Sequence, residues 1–147
     1  MNFIYYNPNP NAKTFKSGKP KSWNIQDDVV RAISKAIDKS WIETYELLDE
    51  IAKSNYTTIN DKQVVNELLH NQLNYTYVTF GKPKPGCKRP IINDFSGEYG
   101  NGIYVLYLRD YYAVVIDGIL YNTIDLNDKP VYSYWKIDNN DLQKCIK

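Results

Sequence analysis

The chain has 147 residues, with 18 basic and 17 acidic side chains and a single histidine. That length fits one domain, which buries about two-thirds of its extended surface and needs no covalent staples. A net charge of +1 excludes both a phosphate-binding surface built on bulk charge and an acidic nucleic-acid mimic. No apolar run approaches the roughly 20 residues of a membrane span, so a soluble protein with no membrane partner is expected.

The opening residues Met1 to Tyr6 carry neither a basic region nor a long apolar stretch, so no secretory signal is expected. Cys87 and Cys145 stand in dissimilar surroundings and suggest no disulfide framework, which sets the expectation of a reducing, cytoplasmic compartment. Residues 1–24 read as an extended arm, because Pro8, Pro10 and Pro20 exclude a helix interior; Phe15 and Trp23 could still pack on the domain.

A first helix is expected to begin at Asp27 or Asp28, with Val29, Val30, Ile33, Ala36 and Ile37 on its inner face and Arg31, Lys35 and Asp38 on the other. A second opens on the capping box Ser40-Trp41-Ile42-Glu43 and runs to about Lys53. Its expected inner stripe is Trp41, Ile42, Tyr45, Leu48 and Ile51. A third is expected from Asp61 to about Leu73, with Val64, Val65, Leu68 and Leu69 inward.

After residue 74 the hydrophobic period changes from 3.6 to 2, and Tyr75 to Phe80 reads as a strand ending in the loop 81–90. Strands 103–108, 111–116 and 119–123 follow, the first two joined at Arg109-Asp110 and the last two at Asp117-Gly118, a strong hairpin signal. A final strand is expected over 131–137, before a polar tail at 138–147. Helices first and an antiparallel sheet after them make residues 25–137 a single α+β domain.

Few residues offer chemistry. His70 reads as an ordinary helix-flank histidine, so no metal site and no cofactor is expected. Cys87 lies beside Lys88 and Arg89, which could depress its pKa, but it reads as a plain loop cysteine; a hydrolase or transferase using Cys87 with His70 is an alternative. The segment 97–102 resembles a flexible turn rather than a phosphate-cradling loop. The basic run Lys82, Lys84, Lys88 and Arg89 lacks interleaved aromatics, so an acidic protein face is a better partner for it than nucleic acid. The unusual count is 14 tyrosines against four phenylalanines. Tyrosine is enriched at protein interfaces, which makes Tyr104, Tyr107, Tyr112 and Tyr132 candidates for protein binding alongside that run.

Two segments together carry a resemblance. One is Tyr5-Tyr6-Asn7-Pro8-Asn9-Pro10 with Asp27-Asp28-Val29-Val30-Arg31-Ala32-Ile33-Ser34 and Lys39-Ser40-Trp41; the other is Tyr112-Ala113-Val114-Val115-Ile116-Asp117-Gly118-Ile119-Leu120-Tyr121-Asn122-Thr123 with Tyr134-Trp135. They resemble small papain-like cysteine-peptidase-fold proteins of bacteriophages and other mobile elements. The resemblance implies a nucleophilic cysteine where Asp28 stands, a histidine at Tyr111 and an orienting group at Asn122. It also implies an oxyanion glutamine at the position of Ser22. A carboxylate at a helix start is expected to stay ionised and to be a poor acyl acceptor, and a phenol is no base at neutral pH. The resemblance therefore implies a papain-like fold without catalysis, a pseudoenzyme that binds a host protein, for instance as an anti-defence inhibitor; a peptide-binding module is a further alternative. An Asp28 carboxylate hydrogen-bonded to the Tyr111 hydroxyl would be the remnant of the ion pair.

Overall fold

The computed structural model describes residues 3–9, 27–96, 99 and 101–137. The expected roles of Phe15, Ser22, Trp23, Cys145 and the tail 138–147 fall outside them. The elements, in order, are β1 (Phe3–Tyr5), α1 (Asp28–Ile37), α2 (Trp41–Ser54), α3 (Lys62–Asn66) and a π-helical turn over Glu67–Gln72. After these come β2 (Thr76–Thr79), a 3-10 turn over Ile92–Ser96, β3 (Ile103–Leu108), β4 (Tyr111–Ile116), β5 (Ile119–Asn122) and β6 (Ser133–Ile137).

The fold is α+β. One six-stranded sheet runs β1-β5-β4-β3-β6-β2. It is mixed rather than purely antiparallel, because β1 pairs with β5 in parallel while the other neighbours are antiparallel. The arm expected at the N-terminus is thus partly sheet: Phe3 to Tyr5 lie against Leu120 to Asn122. The turn between β4 and β5 forms as the Asp-Gly pair demands, with φ of 49° at Asp117 and 81° at Gly118.

The helices cover one face of the sheet, where Val29, Val30, Ile33, Leu48, Val65 and Leu69 close over Val105, Tyr112, Val114 and Trp135. A second core fills the opposite face, with Ile92, Phe95 and Val131 against Tyr104, Leu106, Val115 and Leu120. Phe95 is stacked on Tyr99 at 4.1 Å and meets Tyr104 and Tyr134 edge-on, an arrangement that favours both ring quadrupoles.

Three helical expectations change. Ser40 caps α2 as its capping box requires, accepting from the Glu43 amide at 3.1 Å. The buried stripe of α2, however, is Thr44, Leu48, Ile51 and Ala52, and Ile42 and Tyr45 are exposed. A helix beginning at Trp41 places Ile42 and Tyr45 to the side of that stripe, and Tyr45 instead stacks on Trp41 at 5.4 Å. The third helix widens after Asn66 into a π turn. Arg31 lies inside rather than on the outer face of α1, at 4% exposure.

The tyrosines are spent mostly on structure. Tyr104 and Tyr112 are buried, and Tyr107 and Tyr132 are half-buried. Cations cover several of the rings: Lys35 lies 5.3 Å from the Tyr6 ring centre and 4.7 Å from that of Tyr121, and the Arg89 guanidinium lies 4.1 Å from that of Tyr132. Among the described residues no helix is long and apolar enough to cross a membrane.

Candidate functional site

The start of α1 meets the beginning of β4 and the end of β5, and there Asp28, Tyr111 and Asn122 converge. The β4–β5 ladder ends at Val114 opposite Tyr121, so the Tyr112 amide lies beyond it and needs another acceptor. Asp28 supplies one: its Oδ2 accepts from Tyr112 N at 2.7 Å. The Tyr111 hydroxyl donates to Asn122 Oδ1 at 3.2 Å and accepts from Arg31 Nη2 at 2.8 Å. Asn122 in turn donates from Nδ2 to the Ile124 carbonyl at 3.0 Å.

This corrects the expected clasp between Asp28 and Tyr111. The two residues come from neighbouring elements, but the phenol is held by Arg31 and Asn122, and the carboxylate by the backbone of the next residue. Tyr111 starts its strand on the face that carries Leu120, whereas Tyr112 points to the helices.

Behind these three lies a buried network that the sequence did not announce. Asp27, 2% exposed, forms an ion pair with Arg31 one helical turn on. The same carboxylate accepts from Trp41 Nε1 at 3.0 Å and from Asn9 Nδ2 at 3.1 Å. Asp27 therefore joins the start of α1, the start of α2 and the segment following β1, and Arg31 extends the connection to β4. The available signal was an aspartate four residues before an arginine on a helix whose intervening positions are Asp28, Val29 and Val30. Charge spaced in that way usually marks a solvated face, which hid it.

Asp28 also departs from its expected electrostatics. Burial raises its pKa above the ordinary 3.8, and the Tyr112 amide and the charge of Arg31 oppose that shift without cancelling it. At a helix start open to water the dipole would hold such a carboxylate low; here desolvation wins. The folded state thus binds this proton more tightly than the unfolded chain does. Stability from this group is fullest below the ordinary carboxylate range and is lost as pH rises through it to the raised value. Asp28→Asn keeps an acceptor for Tyr112 and removes the buried charge. It is expected to raise the melting temperature at neutral pH, with the gain shrinking as the pH falls through the raised value and gone once it is below about 4. A variant that loses stability at neutral pH relative to acid would contradict this assignment.

The remaining candidates are scattered. Cys87 is exposed on the loop after β2, and its amide donates to the Lys84 carbonyl at 2.9 Å. His70 sits on the π turn with Nδ1 against the Tyr75 carbonyl at 2.8 Å. No contact joins Cys87 to His70. Lys82, Lys84 and Lys88 are exposed, but Arg89 is not freely displayed: besides the Tyr132 ring it reaches the Gly81 carbonyl at 2.6 Å. Among the described residues no cluster of histidine, cysteine and carboxylate side chains could hold a metal ion.

No protein-family model matches this chain, and no curated protein and no solved structure matches it.

Proposed function

We propose that the chain is a catalytically silent protein of papain-like fold, encoded by a bacteriophage or another mobile element, that binds and modulates a host protein. One observation carries the reading. The three positions where such a peptidase would keep its nucleophile, base and orienter lie together at the start of α1 and on adjacent strands, and a side-chain oxygen of each is engaged in a hydrogen bond that holds the fold. Asp28 secures β4, and Tyr111 bridges Arg31 to Asn122. A phenol and a desolvated carboxylate so engaged offer neither a thiolate nor an imidazole. What remains for function is the surface, where Lys82, Lys84 and Lys88 project from the loop after β2 and Ile42 and Tyr45 project from α2. An inhibitor of host defence is one form that such binding takes.

The test is affinity capture of tagged protein from nuclease-treated bacterial lysate at moderate salt, read by mass spectrometry. One stoichiometric protein partner, retained by the parent chain and lost with Lys82→Glu/Lys84→Glu/Lys88→Glu, is the expected result. The absence of any stoichiometric partner would overturn the reading.

A further inference from the structure

The side of α2 that turns away from the core carries apolar groups in water. Ile42 is 52% exposed and Tyr45 38%, and the Tyr45 ring lies within 7° of parallel to that of Trp41. Beside them runs a row of exposed carboxylates, Glu43, Glu46 and Glu50, without an ion pair among the described residues. With Leu47 and Lys39 this row frames an open notch of about 260 Å³. A ring pair edged by carboxylates fits one kind of chain, an extended segment in which prolines alternate with cations. Prolines dock on aromatic surfaces with little ordering cost, and the cations meet the carboxylates.

The chain itself holds such a segment. Lys82-Pro83-Lys84-Pro85-Gly86-Cys87-Lys88 is exposed throughout, and its shape is set before any encounter. The Cys87 amide donates to the Lys84 carbonyl at 2.9 Å and Gly86 has a φ of 81°, which closes a Pro-Gly turn. Arg89 ties the base of the loop through the Gly81 carbonyl and the Tyr132 ring. A Cβ on Gly81 or Gly86 would meet nothing within 4 Å, so the turn stands clear of the body. The prolines push Lys82 and Lys84 into extended backbone, which spaces them by about 6 Å. Glu46 and Glu50, on successive helical turns, are also spaced by about 6 Å.

Within one chain the loop leads into the 3-10 turn of the second core, whereas α2 packs in the core on the other face of the sheet. The complementary surfaces therefore belong to different copies. We propose that the α2 face receives the 81–90 loop of a second copy, so that the chain associates head to tail. Lys82 and Lys84 meet Glu46 and Glu50, and Pro83 and Pro85 lie on Ile42 and Tyr45. This goes beyond the host-protein reading and stands without it, because it needs no host component.

The test is sedimentation velocity of the purified chain at low salt, from about 10 µM to about 0.5 mM. The weight-average mass is expected to rise above that of one chain, and the affinity to fall at least about tenfold in about 0.5 M salt. Lys82→Glu/Lys84→Glu and Glu46→Lys/Glu50→Lys, all at exposed positions, are each expected to fold and to sediment as monomers. Their equimolar mixture is expected to associate again. Ile42→Ser/Tyr45→Ser is expected to weaken the association of the parent chain about threefold to tenfold, which bulk charge attraction would not show. A parent chain that stays monomeric at the highest concentration overturns the proposal. So does association that survives both charge reversals, or a mixture of the two folded variants that stays monomeric. Association indifferent to Ile42→Ser/Tyr45→Ser overturns the role given to the ring pair.

Discussion

Arg31→Met is expected to destabilise the fold by about 3–5 kcal/mol, a large part of what a domain of this size has in total. Methionine keeps most of the buried volume and removes the charge. Asp27 then remains a carboxylate at 2% exposure, with only the Trp41 indole and the Asn9 amide as the donors described for it. Most of the cost comes from that uncompensated charge rather than from the worth of the ion pair. Tyr111 loses one of two partners and keeps Asn122. A urea titration should show a lower midpoint with an unchanged slope. Asp27→Asn should also destabilise, and the double variant should lose less than the sum of the two, because each single change leaves the other member of the pair buried and uncompensated whereas the double change leaves neither. Additive losses, or a single loss below about 1 kcal/mol, would show that Asp27 and Arg31 are solvated and that the network does not join α1 to α2 and β4.

The second large effect concerns chemistry. If the start of α1 and the start of β4 retain peptidase geometry, restoring the two missing groups creates a reactive thiol. In the double variant Asp28→Cys/Tyr111→His, the introduced cysteine would sit at a helix N-terminus with an imidazole from the adjoining strand and Asn122 behind that ring. Such surroundings draw a thiol pKa down from 8.5 toward or below neutrality. Allowing for the weaker intrinsic nucleophilicity of an acidic thiol, iodoacetamide at mildly acidic pH should label position 28 at least about tenfold faster than the exposed Cys87. Peptide mass spectrometry gives both rates from one sample. Asp28→Cys alone should fall between them. In a double variant that melts cooperatively, labelling no faster than at Cys87 would remove the support for a papain-like ancestry.

Much of the architecture was legible because it rests on local periodicity. The apolar run from Val29 to Ile37, the Ser40 capping box and the Asp117-Gly118 turn each specify their element through near neighbours. What escaped depends on distant ones. Phe3 to Tyr5 are too few to show alternation and become a strand only because β5 offers an edge. The 3-10 turn at Ile92 is set by Phe95 finding Tyr99, Tyr104 and Tyr134. Ile42 and Tyr45 fit a helical stripe as well as Thr44 and Ala52 do, and only the placement of α2 on α1 decides which is buried. For the candidate site, the resemblance pointed to Asp28, Tyr111 and Asn122, which the fold brings to neighbouring elements. Their partners Arg31, Trp41 and Asn9 were not legible, since an arginine on a helix, a tryptophan at a helix start and an asparagine between prolines each have an ordinary surface reading. Tyrosine counts misled for a related reason: both faces of the sheet are covered, so a tyrosine at either parity of a strand packs into a core.

The strand order bears on how the chain folds. Among the described strands β6, the last in the sequence, sits in the sheet between β3 and β2, and β1, the first, waits for β5. Neither core can close before β6 has joined, because without β6 the sheet is split between Tyr77 and Val105 and Trp135 is missing from its middle. Folding is therefore paced by long-range pairing and not by the early helices, and until β6 joins, the unpaired strands depend on partners that shield them.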